Sequence, residues 1–153
     1  CCWWGSSKDS REAQFRALAR ELDYFAGLPH ANIVEIFDLY LDDDFAYIIV
    51  PSYECNLETL ALSSKKFGQR ALPVYVVGEM VLQMFSAASH LHVQSVAHRD
   101  IRMETCVVDT AQIVAQPFRL LLSDLSSAMR VPHGVLLKDP IGPLEYWAPE
   151  VVQ

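Results

Sequence analysis

The sequence predicts an α+β fold in two unequal parts, and three observations carry that prediction. Val34–Leu41 and Phe45–Val50 read as strands joined by an Asp42-Asp43-Asp44 turn, which is a hairpin signal. Val76, Val77, Met80, Val81, Met84, Phe85, Ala88 and Leu91 recur as a broad helical stripe. Between them, at 51–56, β-branched strand formers give way to helix formers, which places a lobe boundary there.

The totals narrow the class. Of 153 residues, 52% are hydrophobic and 20% charged, apolar enough for a core and too weakly charged for a disordered chain. A net charge of −7 argues against a nucleic-acid partner. No run of about 18 apolar residues occurs, so no membrane-spanning segment is expected. The chain begins Cys1-Cys2-Trp3-Trp4, with neither an initiator Met nor a signal-peptide pattern, and is expected to be a piece of something longer. Cys55 and Cys106 are far apart, and no Cys/His spacing fits zinc. Reduced, buried thiols are the expectation, which favours a reducing compartment, intracellular by default with secretion left open.

Taken in order, residues 1–8 read as the tail of a strand and a polar loop. Asp9-Ser10-Arg11-Glu12 is a capping-box signal, followed by Phe15, Leu18, Leu22 and Phe25 at helical spacing and a stop at Gly27. A helix is expected over 10–26. Glu21 lies at the edge of its apolar stripe, either as a solvated carboxylate or aimed into a cleft. Leu28–Val34 reads as a turn leading into the first strand of the hairpin. Pro51 ends the second strand, Ser52–Cys55 links onward, Asn56–Leu62 starts a short helix, and Ser63–Arg70 reads as loop. After the long helical stripe come a loop around 109–116, a strand through Phe118–Leu122, and a Pro- and Gly-punctuated segment from Met129 to Pro143.

The most informative stretch is Ser95–Val108, where His98-Arg99-Asp100 lies between two short apolar runs that read as buried strands. An Asp held in such a turn can accept a proton from a hydroxyl or hold a divalent cation. A solvated turn in which Arg99 and Asp100 simply pair is the other reading.

Three signatures then follow in one order: His98-Arg99-Asp100, Asp124-Leu125-Ser126 and Ala148-Pro149-Glu150. With Pro29-His30-Ala31-Asn32-Ile33-Val34, they resemble the eukaryotic-type protein kinase domain, whose corresponding elements are His-Arg-Asp, Asp-Phe-Gly, Ala-Pro-Glu and a His-Pro-Asn-Ile-Val turn. The resemblance runs from about Arg11 to Glu150. It implies a divergent two-lobe kinase fold represented in part. Residues 1–50 would be the end of the smaller lobe, 51–58 the hinge, and 59–153 the first part of the helical lobe.

The resemblance also implies roles. Asp100 would orient the substrate hydroxyl and accept its proton, with Arg102 beside the transferred phosphoryl. Asp124 would hold Mg²⁺ against the phosphates of ATP, and Thr105 stands at the second metal position. Glu21 would pair with a phosphate-gripping Lys from a preceding strand. Val50 would be the gatekeeper, Pro51, Ser52 and Tyr53 the hinge, and Val107 the floor beneath the adenine. Phe25, Ile36, His98 and Leu125 fall at the positions of the family's regulatory spine. Met103-Glu104 resembles the Pro-Glu of Ser/Thr kinases, so protein Ser/Thr hydroxyls are the implied acceptors.

Departures from the family pattern set up a second reading. Thr105 replaces Asn and offers a shorter, neutral ligand. Ser126 replaces Gly, restricting the backbone beside Asp124. Pro143 stands where a Thr hydroxyl commonly bonds the catalytic Asp. Arg130–Leu144 holds no Ser, Thr or Tyr, so Arg99 lacks a phosphate acceptor in that stretch. The Gly-rich loop and the strand Lys would precede Cys1. The expectation is therefore an ATP- and Mg²⁺-dependent protein kinase in the full-length parent, with a pseudokinase scaffold as the alternative.

Overall fold

The computed structural model describes residues 27–41, 45–66, 72–132, 134–137 and 141–152. The expected helix over 10–26, with Glu21 and Phe25, and the Asp42–Asp44 turn lie outside these residues. The chain divides into two compact units, one holding residues 35–51 and the other His30–Val34 with Ser52 onward.

In the first unit, β1 (Asp38–Leu41) and β2 (Ala46–Ile49) form an antiparallel pair with Tyr40 opposite Tyr47. The hairpin is as expected, with strands shorter than the apolar runs. Alternate side chains of a paired strand point to opposite faces, and Tyr40 on one face and Ile48 on the other are both exposed.

The second unit is built around the wholly buried strand β6 (Leu120–Leu122). It pairs antiparallel with β5 (Cys106–Val108), which pairs with β3 (Cys55–Asn56). On its other edge, β6 meets the turn at 32–34: Leu122 N–H donates to Asn32 O at 2.8 Å, and Val34 N–H donates to Leu122 O at 2.9 Å. Burial of the Leu122 and Cys106 side chains follows from this central position, and it pushes the Cys106 thiol pKa up to about 11. Cys55 and Cys106 are both free thiols; Cys106 is buried as expected, whereas Cys55 is only half-buried.

Two helices flank this sheet. Asn56 caps α1 (Leu57–Lys66), its Oδ1 accepting from Thr59 N–H at 2.8 Å. The helix outruns the expected Asn56–Leu62 because no Gly or Pro interrupts the backbone ladder before Gly68. The long helix α2 (Val74–Val93) starts directly after Pro73, which suits a helix entrance. Its buried face is narrower than the apolar stripe: Val76, Met80, Ala87 and Leu91 are buried, whereas Val77, Val81 and Phe85 are exposed. No helix among the described residues is long and apolar enough to cross a membrane.

Gln83 ties α2 to the sheet. Its Oε1 accepts from Leu120 N–H at 2.7 Å and from Asn32 Nδ2 at 2.8 Å, and its Nε2 donates to Phe118 O at 3.2 Å. Asn32 Nδ2 also donates to Leu120 O at 2.9 Å. One amide side chain thus satisfies polar groups at the start of a buried strand, where an unpartnered group is costly. Gln83→Ala should lower unfolding free energy by about 1–3 kcal/mol, because Leu120 N–H is left without a partner. Chemical denaturation of the variant against wild type checks this.

Candidate active site

The candidate site lies in the second unit, where two loops are tied to each other. The first leaves β4 (Val96–Ala97), passes through His98, Arg99 and Asp100, and enters β5 through a 3₁₀ turn, η1 (Met103–Thr105). The second leaves β6 at Ser123 and Asp124 and passes through a 3₁₀ turn, η2 (Leu125–Ser127). It ends in β7 (Met129–Arg130), which pairs antiparallel with β4. Both loops are therefore anchored at each end by strands.

His98, only 2% exposed, joins them. Its Nε2 lies 3.0 Å from Ser123 O, and its Nδ1 lies 3.3 Å from Asp100 N. A carbonyl can only accept and an amide N–H can only donate. The ring must therefore carry its proton on Nε2 and present a lone pair at Nδ1, which is the neutral form. Burial holds its pKa below the usual imidazole value, against the opposing pull of the Ser123 carbonyl and the Asp100 and Asp124 charges.

Thr105 and Arg99 add further ties. Thr105 is 3% exposed, and its hydroxyl donates to Asp100 O at 2.8 Å while accepting from Arg102 N–H at 3.1 Å. Its carbonyl accepts from Ser123 N–H at 2.8 Å and from the Ser123 hydroxyl at 2.9 Å. Arg99 Nε donates to Ser127 O at 2.6 Å. Arg99 also holds φ at +67°, a left-handed backbone that costs an L-residue about 1–2 kcal/mol. Asp100 pairs with Arg102, with Nε 3.2 Å from Oδ1, rather than with Arg99 as the solvated-turn reading supposed.

Gly142 approaches the same carboxylate. A Cβ there would lie 2.7 Å from Asp100 Oδ1, and the residue holds φ at +76°, so both space and backbone favour glycine. Pro143 follows it and supplies neither an N–H nor a hydroxyl. Asp100 Oδ1 is buried without a hydrogen-bond partner among the described residues.

Asp124 is exposed and left-handed, with φ at +60°. Its Oδ1 accepts from the Ser126 hydroxyl at 2.6 Å and from Ser126 N–H at 3.3 Å. The positive φ falls on Asp124, a residue type that tolerates it, and not on Ser126, so the serine sits there without backbone conflict. No interaction among the described residues engages Asp124 Oδ2. A hard, open carboxylate oxygen suits Mg²⁺, whereas the Thr105 hydroxyl is already committed in both directions.

The remaining expected positions are dispersed. Val107 is the central residue of β5, half-buried between Asn56 and Leu121. Val50 and Pro51 close the first unit after β2, while Ser52 and Tyr53 open the second segment leading to β3. Ile36 is half-buried in the first unit, and Leu125 is buried in the second. Sequence inspection did not single out Ser123, Gly142 or Glu104 as site residues. The signal for Gly142 is a glycine beside the proline that departs from the family pattern.

Two outcomes follow from this geometry. Because folding lowers the His98 pKa, the unfolded chain binds the proton more readily. Stability is therefore intact above the ordinary value of 6.5 and falls as pH drops through it, levelling off below the depressed native value. His98→Phe should flatten that slope in denaturation measured across pH. Thr105→Val keeps the shape but strips partners from Arg102 N–H and Asp100 O. It should cost about 1–3 kcal/mol of stability, and Thr105→Ser much less, by the same assay.

Comparison with known proteins gives the same assignment. The family model described as "Protein kinase domain" matches residues 5–153. A mouse PAS domain-containing serine/threonine-protein kinase is 27% identical over 99% of this chain and 10% of its own length. A probable serine/threonine-protein kinase, CHK1 homolog, of Encephalitozoon cuniculi is 31% identical over 94% of this chain and 33% of its own length. The yeast serine/threonine-protein kinase PSK1 is 28% identical over 93% of this chain and 10% of its own length. The chain thus spans a third or less of these relatives. With the loops of His98-Arg99-Asp100 and Asp124-Leu125-Ser126 cross-tied as described, the chain belongs to the protein kinase family.

Proposed function

We propose that this chain carries the catalytic loop and metal motif of an ATP-dependent protein kinase acting on Ser/Thr hydroxyls in the full-length protein. The observation that supports this most directly is the buried His98 ring, which bonds to Ser123 O on one side and Asp100 N–H on the other. Two carboxylates expected to work together are thereby carried on one tied pair of loops. Positioning of that kind is the main thing a protein supplies to phosphoryl transfer.

In this reading Asp100 orients the acceptor hydroxyl and takes its proton, and Arg102 offsets charge on the transferred group. Asp124 holds Mg²⁺, which supplies positive charge to the nucleotide phosphates when bound. Thr105 fixes the Asp100 carbonyl and the Arg102 amide by hydrogen bonds, so its main work is holding the loop. Val107, Val50, Pro51, Ser52 and Tyr53 remain the proposed adenine-contacting residues, and Glu21 the proposed partner of a phosphate-binding Lys. The Ser/Thr preference rests on Met103-Glu104 and on the printed names of the relatives.

The pseudokinase reading is favoured by two specific observations. The Thr105 hydroxyl is tied to the loop backbone, and the Ser126 hydroxyl bonds the Asp124 carboxylate. A neutral hydrogen bond competes poorly with a divalent cation, which leaves catalysis the preferred reading.

Phosphotransfer to protein by the full-length protein should be lost in Asp100→Asn; transfer that persists in this variant, or none in the wild type, would refute catalysis. ATP with Mg²⁺ should raise the wild-type melting temperature and raise that of Asp124→Asn less, since a ligand bound only to the native state stabilises it. A shift by nucleotide without any transfer would identify a nucleotide-binding scaffold.

A further inference from the structure

Arg102 lies between two carboxylates of its own loop. Its Nε is 3.2 Å from Asp100 Oδ1 and donates to Oδ2 at 3.3 Å, while Nη1 donates to Glu104 Oε1 at 3.1 Å. The side chains of Asp100, Arg102 and Glu104 are 13%, 27% and 31% exposed, so water screens these pairs only partly. Asp100 Oδ1 and Glu104 Oε2 are buried atoms with no hydrogen-bond partner among the described residues. One monocation therefore serves two anions, and its position is set by both.

The backbone builds this arrangement. The η1 turn brings residue 104 back toward residue 102, and the Thr105 hydroxyl pins the turn to Arg102 N–H and Asp100 O. Only a planar, forked cation can meet two carboxylates through different nitrogens in fixed directions, and a lysine ammonium would be a single point. Without the charge on Glu104, the guanidinium has one anion left. It would then turn its paired N–H edge onto Asp100, covering the oxygens that must meet a hydroxyl.

We propose that Glu104 is a positioning residue that holds Arg102 by Nη1, so that Arg102 touches Asp100 through Nε alone and stays available to an arriving anionic phosphoryl group. The proposal rests on the kinase reading above. It concerns how Arg102 is held and makes no claim on the peptide sequence phosphorylated. A glutamate at such an edge could instead receive a basic side chain of the substrate, which would act on substrate binding and not on turnover.

The test uses the full-length protein and its Glu104→Gln and Glu104→Asp variants. In Glu104→Gln, kcat should fall about ten- to hundredfold with KM for ATP and for peptide within about twofold, and equally for peptides with and without basic residues. Glu104→Asp should restore part of the loss. Independently of activity, the Arg102 Nε–H proton resonance should be shifted, and its exchange with solvent altered, in Glu104→Gln without nucleotide. An unchanged kcat, an unchanged resonance, or a raised peptide KM with intact kcat would overturn the proposal. A wild type without transfer would overturn the kinase reading instead, and the resonance would still decide whether Glu104 holds Arg102.

Discussion

The site depends on one buried imidazole that can satisfy both of its neighbours in only one protonation state. His98 must give a proton to the Ser123 carbonyl and receive one from the Asp100 amide, so the ring is neutral and its orientation is fixed. Burial enforces the same state, since a charged imidazole would lose hydration and also lose the lone pair that Asp100 N–H needs. Remove that ring and the two acidic loops keep their strands and the Thr105–Ser123 and Arg99–Ser127 bonds, but lose the one side chain that bonds to the Asp100 amide and the Ser123 carbonyl together.

The strands explain why so few ties suffice. β4 and β7 pair at one end of the two loops, and β5 and β6 pair at the other, so each loop is clamped before His98 acts. Among the described non-glycine residues the left-handed angles fall at Ser95, just before β4, and at Arg99 and Asp124 within the loops. Strain of this kind persists only where surrounding structure over-determines it. Here Val131 N–H bonds Ser95 O, and Arg99 bonds the Ser127 carbonyl.

The departures from the family pattern become intelligible in the same terms. Thr105 is short, so its hydroxyl reaches the backbone of its own loop and stays there. Ser126 needs no special backbone angle, and its hydroxyl finds the nearest anion, Asp124. In both places a small hydroxyl forms local hydrogen bonds where the family has a residue with longer reach or more backbone freedom.

The sequence by itself determined the family, the hairpin at 38–49, the long helix and the residues of the two acidic motifs. Each of these is written in local pattern: alternation, helical period, or residue types at fixed spacing. It could not determine how much of the helical stripe is buried, and Val77, Val81 and Phe85 are exposed although their periodicity matches the buried positions. Nor could it foresee that Asp100 pairs with Arg102 instead of Arg99, that Arg102 also pairs with Glu104, that Gln83 satisfies the start of β6, or that Gly142 lies against the Asp100 carboxylate. Those contacts join residues whose meeting depends on chain path and side-chain direction. Only the tertiary structure decided them, because hydrogen-bond geometry is set by positions in space that local pattern does not encode.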